Sequence, residues 1–251
     1  MSSDRPLASW RVLVPRGGSW GDHVAAQLRE HGAVPVIAPM LNFASAEDPT
    51  ALAKALDELQ LGRFDWLVLT SATTVDVLVS QGARIPDSTR VAAVGETTAL
   101  ALSSAGYRVD FVPMSDNSAR GLVKEWPASG VHGHVLVLQS DVAEPTLVAG
   151  LAKLGFEAEF VTAYRTVGVP VSPEIAADVA SGRIGALLIT SGSVARQVAA
   201  QLTPLPDGTV IVCIGPRTAF DTRAAELPVH AIAEERTADA LIDALVDYVV
   251  G

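Results

Sequence analysis

Short apolar runs rich in β-branched residues alternate with amphipathic stretches along the whole chain. The runs fall at 12–15, 35–39, 66–70, 91–94, 109–113, 134–138, 159–165, 186–190, 210–214 and 229–233, each the length of a strand. WLVLT, ALLIT and VIVCI are apolar on both faces, as strands covered on two sides must be. Helical patterns lie between them at 23–31, 49–61, 75–81, 97–105, 143–154, 173–181, 194–201 and 238–249. Strand–helix alternation of this kind predicts an α/β fold with right-handed crossovers and doubly wound parallel sheets. Two segments break the pattern, 35–43 and 159–169, each following a helix that ends in glycine (Gly32 and Gly155). Their length and the prolines Pro35, Pro39, Pro170 and Pro173 suit a two-stranded connector between lobes, although ordinary core strands would read the same way.

The chain also repeats itself. Thr70-Ser71 recurs as Thr190-Ser191, and Gly95-Glu-Thr-Thr98 recurs as Gly215-Pro-Arg-Thr218, both 120 positions later. RVLVPRGG at 11–18 matches HVLVLQSD at 134–141, and SARGLV at 118–123 matches TADALI at 237–242. A repeat this long exceeds a solenoid unit and has the size of a small α/β domain. Two related lobes follow, with the cleft between them as the expected binding site.

Composition narrows the function. Hydrophobic residues make up 49% of the 251, enough for substantial cores. The formal charge of −10 disfavours a nucleic-acid partner, because phosphate contacts need clustered Lys and Arg. An anionic ligand would therefore have to be held by backbone amides and a few arginines. Cys213, the single cysteine, sits in an apolar run and reads as a small buried hydrophobe. No zinc-type Cys/His spacing occurs, so a metal enzyme is not supported. MSSDRPLASW lacks the apolar core of a signal peptide and no run reaches a membrane span, so a cytoplasmic protein is expected. A monomer is expected as well, since no heptad or unpartnered apolar helix face stands out.

The Thr-Ser pairs sit where a buried strand turns into a helix. A hydroxyl there can cap the helix by accepting from its first amides. The same geometry can hold a carboxylate or phosphate at the positive helix end, and open α/β sheets bind ligands outside the carboxyl ends of their strands. Gly95 and Gly215 permit tight turns into helices, with Thr98 and Thr218 in the first turn. Neither is a P-loop, and the Rossmann glycine pattern is absent. Arg16 ends the first strand, where a guanidinium can clamp a carboxylate or simply lie on the surface. Tyr164, one of three tyrosines, can donate a proton to a leaving hydroxyl or merely pack against a sheet. The five histidines (His23, His31, His132, His134 and His230) form no triad with Ser or Asp, and no acidic pair stands out, so a hydrolase is not supported.

Taken in order, RVLVPRGG, LTSATTVDVL, VAAVGETTALAL, the Tyr-Arg-Thr-Val segment, ITSGSVARQV, VCIGPRTA and the TADAL helix start resemble the uroporphyrinogen-III synthase family over about residues 11–250. The chain departs from the family's pattern at 72–74 and at Gln139-Ser140. The resemblance implies two α/β lobes out of phase with the repeat: 1–34 with 169–251 in one, 44–160 in the other, and connector strands 35–43 and 161–168 between them. It implies a cofactor-free hydro-lyase of tetrapyrrole biosynthesis. Its substrate would be hydroxymethylbilane, handed over by hydroxymethylbilane synthase, and it would be cyclised with inversion of ring D through a spiro intermediate. It casts Tyr164 as the group assisting hydroxide departure. Arg16, Thr70, Ser71, Gly95, Thr98, Ser118, Ser140, Thr190, Ser191, Ser193, Gly215 and Thr218, with nearby amides, become the carboxylate-binding set. Two rivals remain at this point: a non-catalytic two-lobed module that senses a tetrapyrrole or small anion, and a glycosyl- or nucleotide-handling enzyme.

Overall fold

The computed structural model describes residues 5–127 and 133–251; His132 lies outside them. The chain runs β1 (Arg11–Val14), α1 (Gly18–Glu30), β2 (Val34–Ile37), β3 (Leu41–Ser45), α2 (Pro49–Gln60), β4 (Trp66–Leu69) and α3 (Ala72–Ser80). It continues through β5 (Arg90–Ala93), α4 (Glu96–Ser104), α5 (Ala119–Lys124), β6 (His134–Ser140), α6 (Thr146–Lys153) and β7 (Glu157–Gly168). It ends with α7 (Pro173–Ala180), β8 (Ala186–Ile189), α8 (Gly192–Leu202), β9 (Val210–Cys213), α9 (Pro216–Ala224), β10 (Ala231–Ile232) and α10 (Ala238–Val250). Two compact units result, Met1–Asn42 with Val167–Gly251, and Phe43–Thr166.

The first unit is built on a five-stranded sheet of order β10-β9-β8-β1-β2, with parallel pairing between neighbours. Alternate residues of each strand enter different cores. Val12, Val14, Ala186, Leu188, Val210 and Val212 pack with Val24 and Leu28 of α1 and Leu241, Ile242 and Leu245 of α10. Leu13, Leu187, Ile189, Ile211 and Cys213 pack on the other face with Val179 of α7 and Val194, Val198 and Leu202 of α8. Both faces of the sheet are thus covered, which is why these strands carry no polar alternation. Arg11 of β1 reaches Asp178 of α7 at 2.8 Å, and Arg183 grips the same carboxylate. The hydrogen bond from Arg183, followed by the nearby positive charges, holds that buried carboxyl below the usual carboxylate range.

The second unit has the sheet order β3-β7-β6-β4-β5, with β7, β6, β4 and β5 parallel. Leu67, Leu69, Val91, Ala93, Leu136 and Leu138 face α2, α3 and α4, whereas Trp66, Val68, Ala92, Val135 and Val137 face α5 and α6. Asp48 caps α2 by accepting from the amides of Thr50 and Ala51 at 3.0 and 3.1 Å, with Pro49 at the first helical position.

Three expectations change. The run 109–113 makes only an isolated bridge, Phe111 beside Ala92, rather than a strand. Its ladder is cut short because the Asp110 carboxylate, not a backbone carbonyl, accepts the Val91 amide at 2.8 Å. The second repeat does the same: the Ile211 amide donates to His230 Nδ1 at 2.9 Å, and β10 shrinks to two residues. Next, 35–43 is divided. β2 joins the first unit's sheet and β3 the second's, with the Ala38–Pro39–Met40 step between them. Proline supplies no amide to a ladder, so the interruption falls there. Finally, α5 forms where no apolar period marks a helix, whereas α9 follows the Gly215 turn as expected and buries only Thr218, Ala219 and Thr222.

Candidate functional site

In the second unit the candidate residues gather at the carboxyl ends of β4, β5 and β6, with Tyr164 of β7 level with the end of β6. β4 ends at Leu69, and Thr70-Ser71 turns the chain into α3. Ser71 is extended (φ −155°) and its Oγ accepts from the Thr74 amide at 3.2 Å, the expected helix cap. The same oxygen lies 2.9 Å from Thr74 Oγ1 and 3.1 Å from the Tyr164 hydroxyl. Tyr164 is only 8% exposed, and Phe43 meets its ring edge-on at 5.2 Å. Its backbone carbonyl accepts from the Asp141 amide at 3.1 Å, while Asp141 Oδ1 accepts from the Thr166 amide at 2.9 Å. Ser140 stands opposite Tyr164 in the β6–β7 register, just past an irregularity between Gln139 and Ser140. Such a bulge re-aims the side chains that follow it. A cavity of about 440 Å³, lined by Phe43, Ser45, Thr73, Asp76, Gln81 and Tyr164 among others, adjoins the phenol.

Gly95 begins α4 at φ +91°, a left-handed conformation that favours glycine, and no side chain caps that helix. Thr98 is buried and its hydroxyl turns back on the Val94 carbonyl at 3.4 Å, leaving the backbone amides of the turn as the donors. Ser118 caps α5 by accepting from the Gly121 amide at 3.1 Å.

The first unit repeats the plan at the carboxyl edge of its own sheet. Ser191 caps α8 through the Val194 amide at 3.2 Å, directly after Thr190. Ser193 accepts from Arg196 at 2.9 Å. α9 begins at Gly215 with no side-chain cap, and α1 begins at Gly17 likewise. Helices started by glycine leave first-turn amides without a side-chain acceptor, and the helix dipole favours an anion there. Thr218 is buried. Arg16 follows β1 and its guanidinium lies 4.8 Å from the Trp20 ring. A Cβ at Gly215 would stand 3.3 Å from Arg236 Cγ, so the stem of Arg236 lies against that turn. Thr237 then caps α10. Arg217, in the first turn of α9, bonds Asp221 at 3.2 Å.

Each unit therefore brings its predicted residues to one sheet edge. Sequence reasoning missed Thr74, Phe43, Asp221 and Arg236. The Ser-x-x-Thr spacing of 71–74 and the four-residue spacing of Arg217 and Asp221 were available as signals. Nothing local pointed to Phe43 or Arg236.

The sequence profile of uroporphyrinogen-III synthase HemD matches residues 22–243. No curated protein sequence matches the chain. Among solved structures, a substituted uroporphyrinogen III synthase from Thermus thermophilus superposes with a TM-score of 0.66 at 17% identity, over 96% of this chain and 99% of that one. The uroporphyrinogen-III synthetase of Helicobacter pylori gives 0.64 at 15% identity, over 95% and 98%. At these identities the two structures speak to the fold. Among the described residues no helix is long and apolar enough to cross a membrane.

Proposed function

This chain belongs to the uroporphyrinogen-III synthase family, and from that membership we infer how its own residues carry the reaction. It is a lyase-type cyclising enzyme that closes hydroxymethylbilane, a linear tetrapyrrole, to uroporphyrinogen III with ring D inverted. As a hydro-lyase it must break the bond between the terminal carbon and its hydroxyl, release water, and steer the resulting cation to the substituted carbon of ring D. Spiro closure, fragmentation and reclosure then follow.

Tyr164 assists the departure of the hydroxyl by donating its phenolic proton. Support for this lies in its place in β7 level with the carboxyl end of β6, with its ring fixed by Phe43 and its hydroxyl fixed by Ser71. A proton donor held in this way contributes about 10²-fold or more to such a step. The backbone amides of the turns at Thr70-Ser71, Gly95–Thr98, Ser118 and Ser140 in one unit, and the turns at Arg16, Thr190–Ser193 and Gly215–Thr218 in the other, are each suited to an acetate or propionate group. The observation that carries this reading is the trio of glycine-started helices α1, α4 and α9, whose amides bind anions without a basic protein. A chain of net charge −10 needs that device.

Freshly generated hydroxymethylbilane tests the reaction. The enzyme yields the type III isomer, whereas unaided cyclisation yields type I. Tyr164→Phe is expected to slow type III formation about 100-fold or more. An unchanged rate removes Tyr164 from the mechanism.

A further inference from the structure

Ser71 has one proton and two acceptor positions, and three neighbours claim them. Its Oγ accepts from the Thr74 amide, lies 2.9 Å from Thr74 Oγ1, and lies 3.1 Å from the Tyr164 hydroxyl. The side chain is saturated, so it cannot bind a substrate carboxylate without giving up one of these partners. The second repeat lacks this arrangement. Ser191 caps α8 in the same way, but Val194 stands where Thr74 does and supplies no hydroxyl. The chain of hydroxyls belongs to the unit that carries the phenol.

Only two proton arrangements satisfy the three oxygens. If Ser71 donates to Thr74, the phenol must donate to Ser71, and its proton points away from any substrate. If Ser71 donates to Tyr164, Thr74 can back Ser71, and the phenolic proton is free. We propose that Ser71 is a positioning residue for Tyr164: its hydroxyl donates to the phenol oxygen, keeping the phenolic proton available to the substrate's leaving hydroxyl. This rests on the role given to Tyr164 above. In the step itself, the carbon–oxygen bond breaks with its electron pair on oxygen, and the phenolic proton completes a molecule of water. The substrate is left cationic and the tyrosine a phenolate. Ser71 then donates to an anionic oxygen, a stronger bond than the one it made before. The proton released when the closing ring regains its aromaticity returns to the phenolate.

Three replacements at Ser71 separate positioning from capping and from carboxylate binding. Ser71→Thr keeps both cap and donor, and is expected to stay within about twofold of the parent kcat. Ser71→Asp keeps the cap but has no proton to give, so its kcat falls about tenfold or more. Ser71→Ala loses both functions and falls at least as far. In a Tyr164→Phe background the loss from Ser71→Asp disappears, because its route of action is gone. The inference is overturned by Ser71→Asp matching Ser71→Thr, which leaves only a cap. A raised KM at unchanged kcat in Ser71→Ala overturns it too, since that marks a carboxylate contact. So does a full-sized loss from Ser71→Asp in the Tyr164→Phe background, which would leave Tyr164's own role intact. A normal rate in Tyr164→Phe alone would instead remove the reading on which the inference stands.

Discussion

Glycine occupies equivalent positions in the two repeats for different reasons. Gly95 takes a left-handed φ of +91°, whereas Gly215 is extended at 173° and makes room for the stem of Arg236. Gly192 is tighter than either. A Cβ there would stand 2.5 Å from Asp221 Oδ2 and 2.9 Å from Asp221 Cβ. Rotating the carboxylate cannot relieve a clash with Cβ, so α8 and α9 must move apart. Gly192→Ala is expected to cost about 1–3 kcal/mol in denaturant unfolding. It should also raise KM for hydroxymethylbilane, because Asp221 holds Arg217 in the first turn of α9. At this scale Tyr164 could be singled out by its rarity and its neighbours Arg165-Thr166. Its hydrogen bond to Ser71 could not, because the two lie 93 positions apart.

The strands were the most legible elements, because a sheet covered on both faces demands uninterrupted apolar runs and those runs stand out. β6 shows the energetic side of this. Leu136 is fully buried and lies between the strands that flank it on each side, β4 and β7. Leu136→Ala is expected to destabilise the protein by about 2–5 kcal/mol, measured by chemical denaturation with an unchanged m-value. That is a large share of a typical total stability. The edges were harder to read. At 109–113 and 229–233 the apolar pattern promised strands, but Asp110 and His230 took backbone amides with their side chains and ended the ladders early. Residues 91 and 110, and 211 and 230, are each 19 apart, so the repeat keeps the geometry while exchanging a carboxylate for an imidazole. The imidazole nitrogen that accepts must be unprotonated, which fixes the His230 tautomer and accounts for this histidine without catalysis.

Across the whole molecule, each unit carries its own sheet and two core layers. The two sheets follow the same plan, shown by the match between the Ala92–Phe111 bridge and the Val212–Ala231 pair of β9 and β10. The second unit is a single continuous stretch, Phe43–Thr166, and the first is completed only by the chain's two ends. A fragment spanning 41–168 is therefore expected to fold by itself with a cooperative denaturant transition. A fragment of 1–42 is expected to stay unfolded, since β1 lacks β8. The sequence alone determined the α/β class, the repeat, the hydroxyl and glycine turns, and the family, because each is written in local pattern and spacing. Tertiary structure decided which strands share a sheet, that 35–43 divides between two sheets, and that the Ser71 hydroxyl lies 3.1 Å from Tyr164 as well as capping its own helix. Those outcomes depend on pairing between residues distant in the chain, and a local hydrophobic pattern carries no record of its partner.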